Sequence, residues 1–116
     1  MSNLKFSATH EWVDGSGKVG VTDFAAHEMG DIVFVELPNV GDKITAGKPF
    51  ANIESVKAVS EVFSPVSGKV IAVNDALSDA PELINQDAFS AYLVEVEITA
   101  YEDGLMDKAA YDELKH

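Results

Sequence analysis

The sequence predicts a mainly β fold, a barrel or sandwich trimmed with short helices. Three observations carry that reading. Short runs rich in Val, Ile and Phe recur between turn signals. The last of them alternates with period two, the pattern of a half-buried strand. Helical signals are confined to two short stretches, and many short strands with few helices make a sheet-on-sheet or closed-sheet core.

Taken in order, Val19-Gly20-Val21-Thr22 is a β-prone run that follows a Gly15-Ser16-Gly17 turn. Thr22-Asp23 can cap a helix over Phe24 to Met29, with an acid in its first turn and Gly30 to stop it. Asp31 to Leu37 reads as a longer strand, apolar on both faces in its middle, ending at the turn chemistry of Pro38-Asn39-Val40-Gly41-Asp42. Pro49 to Ile53 and Val59 to Phe63 flank a central segment. Val66 to Val73 is entered through Ser64-Pro65 and carries Gly68. In the final strand Tyr92, Val94, Val96 and Ile98 alternate with Leu93, Glu95 and Glu97. Leu105 to Leu114 is rich in helix formers and reads as a terminal helix.

Composition narrows the function. The chain has 116 residues and a formal net charge of −12, its 8 basic residues are all lysines, and it has no cysteine. One domain over residues 1–116 is the expectation, with a core at about 4–98 and a helical tail at 100–116. An apolar share of 47% can fill a core. Without arginine and with excess acid the chain is a poor nucleic-acid binder, and its charge opposes anionic membranes. Disulfides, thiolate nucleophiles and cysteine-ligated metals are excluded. No apolar run approaches the roughly 20 residues of a membrane span, and the start at Met1 to Phe6 has no signal-like segment.

Enzyme motifs are missing. His10-Glu11 has no second histidine at the zincin spacing, and His10, His27 and His116 are scattered, so no metal site is expected. Gly15-Ser16-Gly17 lacks the Lys-Ser/Thr of a phosphate loop, and no Gly-x-Ser-x-Gly elbow occurs. A small β domain without nucleophile, metal set or cofactor fingerprint reads as a binding or carrier module.

The informative stretch runs from Gly41 to Val70. Lys57 lies midway between two β-prone runs, with Gly47 and Gly68 at turns on either side. That arrangement is a hairpin with Lys57 near its tip, where one amine among eight is accessible to a modifying enzyme. An unburied tip gives no reason to depress a pKa of about 10.4, so a catalytic base is disfavoured. Acylation would remove the charge and add a tether. Hairpin lysines are ordinarily only solvated, so spacing alone leaves both readings open.

At these residues the sequence resembles the H-protein family of the glycine cleavage system. The blocks are Glu54-Ser55-Val56-Lys57-Ala58, Ser64-Pro65-Val66-Ser67-Gly68, Val73-Asn74 and Pro81-Glu82-Leu83-Ile84-Asn85. Upstream they are His10-Glu11-Trp12-Val13, Val19-Gly20-Val21-Thr22-Asp23 and Gly30 to Pro38. They run in order from about Leu4 to Ile98.

The resemblance implies a hybrid barrel-sandwich, as in lipoyl and biotinyl domains, and a non-catalytic carrier with lipoic acid joined to Lys57. It implies that the arm collects an aminomethyl group at glycine decarboxylase and delivers it to the aminomethyltransferase. Dihydrolipoamide dehydrogenase then reoxidises the dithiol, and a lipoylating enzyme is a fourth partner. By the same resemblance Glu11 and Glu61 are candidates for a cleft that shelters the loaded arm and holds its cationic amine. A histidine on the first helix sometimes lines that cleft in the family. Here His27 stands on the helix, but Glu28 takes the equivalent position. Glu54, Val56 and Ala58 are candidates for recognition by the lipoylating enzyme. Gly47 and Gly68 are expected to be structural, and Trp12 a core aromatic. The loop at Asp14 to Gly17 looks short, and Ala88-Phe89-Ser90-Ala91-Tyr92 replaces the family's Pro-aromatic and Gly-Trp pattern. A bacterial cytoplasm is the expected location, or the mitochondrial matrix for a mature organellar chain. The alternatives are a lipoyl donor in lipoate relay, a lipoyl carrier of another complex, and an unmodified scaffold. The acidic surface suits docking on basic partners.

Overall fold

The computed structural model describes residues 4–114. The readings that fall on Met1 to Asn3 and on His116 lie outside the described residues. Among the described residues, nine strands and four helices follow one another as β1 (Lys5–Phe6), β2 (Glu11–Val13), β3 (Lys18–Val21), α1 (Asp23–Met29), β4 (Ile32–Glu36), β5 (Lys43–Ile44), β6 (Pro49–Ser55), β7 (Val59–Phe63), β8 (Val66–Val73), α2 (Ala76–Asp79), α3 (Leu83–Gln86), β9 (Val94–Tyr101) and α4 (Lys108–Leu114). The strands form two antiparallel sheets, one of six strands ordered β1-β2-β3-β9-β8-β5 and one of three ordered β4-β6-β7. The mainly β expectation, with a helix at 23–29 and a C-terminal helix, is what the chain adopts. Among the described residues no helix is long and apolar enough to cross a membrane.

The main core lies between the sheets. Val19, Ile53, Val62, Val66, Val70, Leu93 and Val94 are buried there, closed on one side by Leu77 of α2 and Ile84 of α3. A smaller cluster joins Phe6, Trp12 and Tyr111, with Leu4, Tyr92 and Met106 packed against it. Trp12 is thus a core aromatic, and its indole N–H donates to the Ala88 carbonyl at 3.3 Å. Phe89, in the segment that departs from the family pattern, packs its ring near those of Phe6 and Trp12.

Several local expectations meet their physical limits. Helix α1 starts at Thr22, whose hydroxyl accepts from the Ala25 N–H, and stops at Gly30 with φ of 79°. In β4 the buried residues are Ile32 and Val35, while Val33 and Phe34 face outward together. A bulge against β6 between Ile32 and Phe34 breaks the alternation, so the strand is not apolar on both faces by burial. Strand β9 runs on to Tyr101, and the last helix begins at Lys108 rather than Leu105. Leu93, placed by period two on the polar face, is fully buried because it precedes the strand and its N–H donates to Val19. The four-residue helices α2 and α3 carry no side-chain cap and left no mark in the sequence pattern. Gly68 sits where a Cβ would collide with the Glu97 carbonyl oxygen and come within 2.7 Å of Val96 Cγ1, so close strand approach requires it.

Candidate functional site

Strands β6 and β7 form the hairpin that the sequence predicts, and Val56-Lys57-Ala58 connect them. One hydroxyl organises the tip. The buried Ser55 Oγ accepts from the backbone N–H of Lys57 at 3.2 Å and of Ala58 at 3.3 Å. The Ser55 N–H donates to the Ala58 carbonyl at 2.9 Å, and the Val56 N–H reaches across to the Asp31 carbonyl at 3.0 Å. Asn85 holds that neighbouring connection from α3, accepting from the Ile32 N–H and donating to the Gly30 carbonyl. The tip is therefore a pinned turn against the end of α1. The sequence reading passed over Ser55, although a serine two residues before a turn position is a recognised signal.

The Lys57 side chain is exposed and lies back along α1, its Nζ 3.5 Å from the Glu28 carbonyl. A Cβ at Gly30 would be 3.3 Å from Lys57 Cε, so the bare glycine leaves room for the lysine stem. Beside the helix opens a cleft of about 340 Å³ between α1 and the edge strand β7. Phe24, Ala25, Met29 and Val21 supply apolar wall; Thr9, His10, Glu11, Glu28 and Glu61 supply polar wall. Glu28 lines the cleft and its carbonyl is the resting place of Nζ, so the lysine tip and the cleft adjoin at this residue.

The two acids expected in the cleft differ in state. Glu11 is 3% exposed, and its carboxylate accepts from Ser7 Oγ at 2.6 Å, from Thr9 Oγ1, and from the Phe63 N–H at 3.1 Å. It thereby ties β2 to the edge of β7. Burial pushes its carboxyl above the usual glutamate range, and those hydrogen bonds oppose the shift. Glu61 is exposed on β7 and stands in register with Asn52, which in turn donates to Glu36. So Glu11 frames the cleft, while Glu61 and Glu28 are the hydrated acids along it. His27 lies elsewhere, in a larger open groove with Asp31, Asn85 and Phe89, whereas Glu28 takes the cleft position. His10, which the sequence gives no metal role and places in a family block beside Glu11, lines the cleft with φ of 74°.

Glu54 is exposed and pairs across the small sheet with Phe34 on one side and Val59 on the other. Val56 is 66% and Val59 67% exposed, Phe34 53%, and Ala58 is also exposed, giving the tip an apolar margin around the Glu54 carboxylate. Such exposed apolar area next to an accessible amine is the usual form of a contact surface. Among the described residues, no group of three or more His, Asp or Glu is arranged to hold a metal ion.

A sequence model of the family described as glycine cleavage H-protein matches residues 4–116. The chain is 54% identical over 98 residues to the glycine cleavage system H protein of Koribacter versatilis, covering 84% of this chain and 78% of that one. It is 49% identical over 116 residues to the H protein of Acidobacterium capsulatum, covering 96% and 90%. The crystal structure of a glycine cleavage system H protein from Mycobacterium marinum superposes with a TM-score of 0.91 at 35% identity, covering 97% of this chain and 96% of that one. With the family matched over nearly the whole length and the fold shared, the chain belongs to the glycine cleavage H-protein family.

Proposed function

We propose that this chain is the lipoyl-bearing carrier of a glycine cleavage system, a single non-catalytic domain with lipoic acid in amide linkage to Lys57 Nζ. The observation that carries the reading is the juxtaposition at the tip: an exposed amine on a hairpin pinned by Ser55, at the mouth of a half-apolar, half-acidic cleft. The residues suit the group. Phe24, Ala25 and Met29 match an acyl chain and a dithiolane, and Glu28 and Glu61 match a cation at its far end. When bound, the lipoyl group would supply a disulfide able to accept the aminomethyl group of glycine as its carboxyl leaves as CO2, and, once that carbon is passed on with release of ammonia, a dithiol that a flavin dehydrogenase would reoxidise with NAD.

The chain's own part is positional. Ser55 holds the turn so that the lysine amine is presented to a lipoylating enzyme in one orientation. Glu54, Val56 and Ala58 form the surface that such an enzyme would read. Glu11 anchors the edge of β7 and keeps the cleft open, and the apolar wall excludes water from whatever rests there. Glu28 and Glu61 then retain a cationic cargo until a partner displaces it. A net charge of −12 steers the carrier toward basic docking faces on the three enzymes. We assign the chain to the cytoplasm of a bacterium.

The test is an intact mass with peptide mapping after incubation with a lipoylating enzyme, ATP and lipoate, followed by glycine-dependent loading with the decarboxylase. A single lipoyl increment on Lys57 and its glycine-dependent loading are expected. A folded chain that gains no increment, or carries it on another lysine, refutes the assignment.

A further inference from the structure

The C-terminal helix touches a cleft residue through Tyr111. Tyr111 of α4 is 2% exposed and stacks its ring on Phe6 at 4.7 Å between centroids. Its hydroxyl lies 2.8 Å from His10 Nδ1 and 2.7 Å from Thr22 Oγ1. These two partners are neighbours in space, since the Thr22 N–H also donates to the His10 carbonyl. His10 belongs to the β1–β2 connection, and Thr22 caps α1. The rest of His10 is held as well. Its N–H donates to the Ser7 carbonyl at 3.1 Å, its carbonyl accepts from the Thr22 N–H at 3.0 Å, and its ring lies 4.9 Å from that of Phe24. The His10 backbone, with φ of 74°, is in the left-handed region that non-glycine residues adopt uncommonly.

Proton placement follows from what each group has left to give. Thr22 is fully buried and its Oγ1 accepts from the Ala25 N–H; giving its own proton to the Tyr111 oxygen, 2.7 Å away, provides that buried proton with an acceptor. The Tyr111 proton then goes to His10 Nδ1, an arrangement that satisfies all three groups. The ring is left with its proton on Nε2, in a residue that lines the cleft.

We infer that Tyr111 is a positioning residue for the arm cleft: through the Thr22–Tyr111–His10 chain it fixes the orientation of the His10 ring and locks it in the Nε2–H tautomer. The inference rests on the carrier reading for its purpose, and on this geometry alone for its existence. Burial lowers the His10 pKa, partly offset by the nearby Glu28, which agrees with a neutral ring. The charged and titratable groups around it are Glu28 on α1, Glu11 on β2, Glu61 on β7 and Tyr111 on α4.

Long-range proton–nitrogen spectra of the unmodified chain, labelled with nitrogen-15, test the lock directly. His10 is expected to show an unprotonated Nδ1 and a protonated Nε2 at neutral pH. Tyr111→Phe keeps the ring on Phe6 and removes only the hydroxyl; it should average the two nitrogens. Thr22→Ser, which retains a hydroxyl cap, should preserve the signature. On the lipoylated carrier loaded with glycine and the decarboxylase, then freed of the enzyme, Tyr111→Phe should release its cargo about fivefold faster, the factor expected for one lost hydrogen bond. A native His10 protonated on Nδ1, or a Tyr111→Phe spectrum identical to the native one, overturns the relay. An unlocked ring with unchanged release overturns the positioning role. A chain that takes no lipoyl group refutes the carrier reading and with it the purpose of the relay; a lipoylated chain with an unlocked native His10 refutes the relay alone.

Discussion

Glu11 offers the sharpest physical test because its charge and its hydrogen bonds act in opposite directions. Removing the acceptor with Glu11→Ala strips the Phe63 N–H of its partner at the edge of β7 and empties space next to Ser7. Ser7 keeps a second acceptor in the Glu11 carbonyl and Thr9 is exposed to water, so the loss concentrates on Phe63. One stranded amide costs about 1–3 kcal/mol, and the lost buried methylene adds about 0.8 kcal/mol. The sum, about 2–4 kcal/mol, lowers Tm by about 10 °C for a chain of this size. Glu11→Gln keeps an acceptor for Phe63 and relieves the chain of a buried charge, so it should match or exceed native stability at neutral pH. The pH dependence has a defined sign. The Glu11 pKa is raised in the folded state, chiefly by burial. Between the ordinary glutamate value and that raised value the folded chain keeps a proton the unfolded chain has released, so stability falls as pH rises through this window. Subtracting the Glu11→Gln unfolding curve from the native one cancels the other 19 of the 20 acidic residues. Urea denaturation from pH 4 to pH 8 at constant ionic strength should therefore show native stability, relative to Glu11→Gln, dropping with pH and then levelling. A flat difference, a rise with pH, or a glutamine variant as unstable as the alanine one would refute the reasoning.

Four further outcomes follow from the same geometry. Lys57→Arg should fold with a native Tm, since the side chain is exposed, yet gain no lipoyl mass and support no glycine cleavage; a lower Tm would contradict the tip geometry. Ser55→Ala leaves the Lys57 and Ala58 N–H groups without their acceptor, so lipoylation by a purified enzyme should slow about fivefold while stability drops by only about 1 kcal/mol; an unchanged rate would show that the turn needs no pin. Gly68→Ala drives a methyl into the β9 backbone and should cost about 3 kcal/mol in chemical denaturation; a near-neutral result would show that β8 and β9 separate easily. Association with the decarboxylase, followed by stopped flow, should slow as salt rises from 20 mM to 500 mM, because a net charge of −12 acts over a shrinking screening length; a salt-independent rate would remove steering from the account.

Much of this molecule was legible from one dimension because the relevant physics is local. Turn chemistry marked both ends of β7 and β8 and the start of β6, which runs two residues beyond the expected Ile53, and a threonine cap followed by a glycine stop marked α1 to within one residue. The hairpin and its central lysine needed only strand propensity and spacing, since an antiparallel pair with a short connection must put its middle at the tip. The ordered blocks around Lys57 carried the family. What sequence could not give is whatever depends on two distant segments meeting. The bulge that turns Val33 and Phe34 outward arises from pairing with β6, not from the strand's own alternation. Whether Glu11 is a hydrated acid or a buried brace depends on Phe63, 52 residues away. His27 and Glu28 are neighbours in sequence, and the family blocks already gave Glu28 the cleft position; the groove that His27 lines exists only because α3 packs beside α1. His10 and Tyr111, 101 residues apart, became a single device because Phe6 and Trp12 left a pocket for the last helix to dock. Local propensity is a property of neighbours along the chain. Burial, charge state and proton position belong to neighbours in space, and those exist only once the chain has folded.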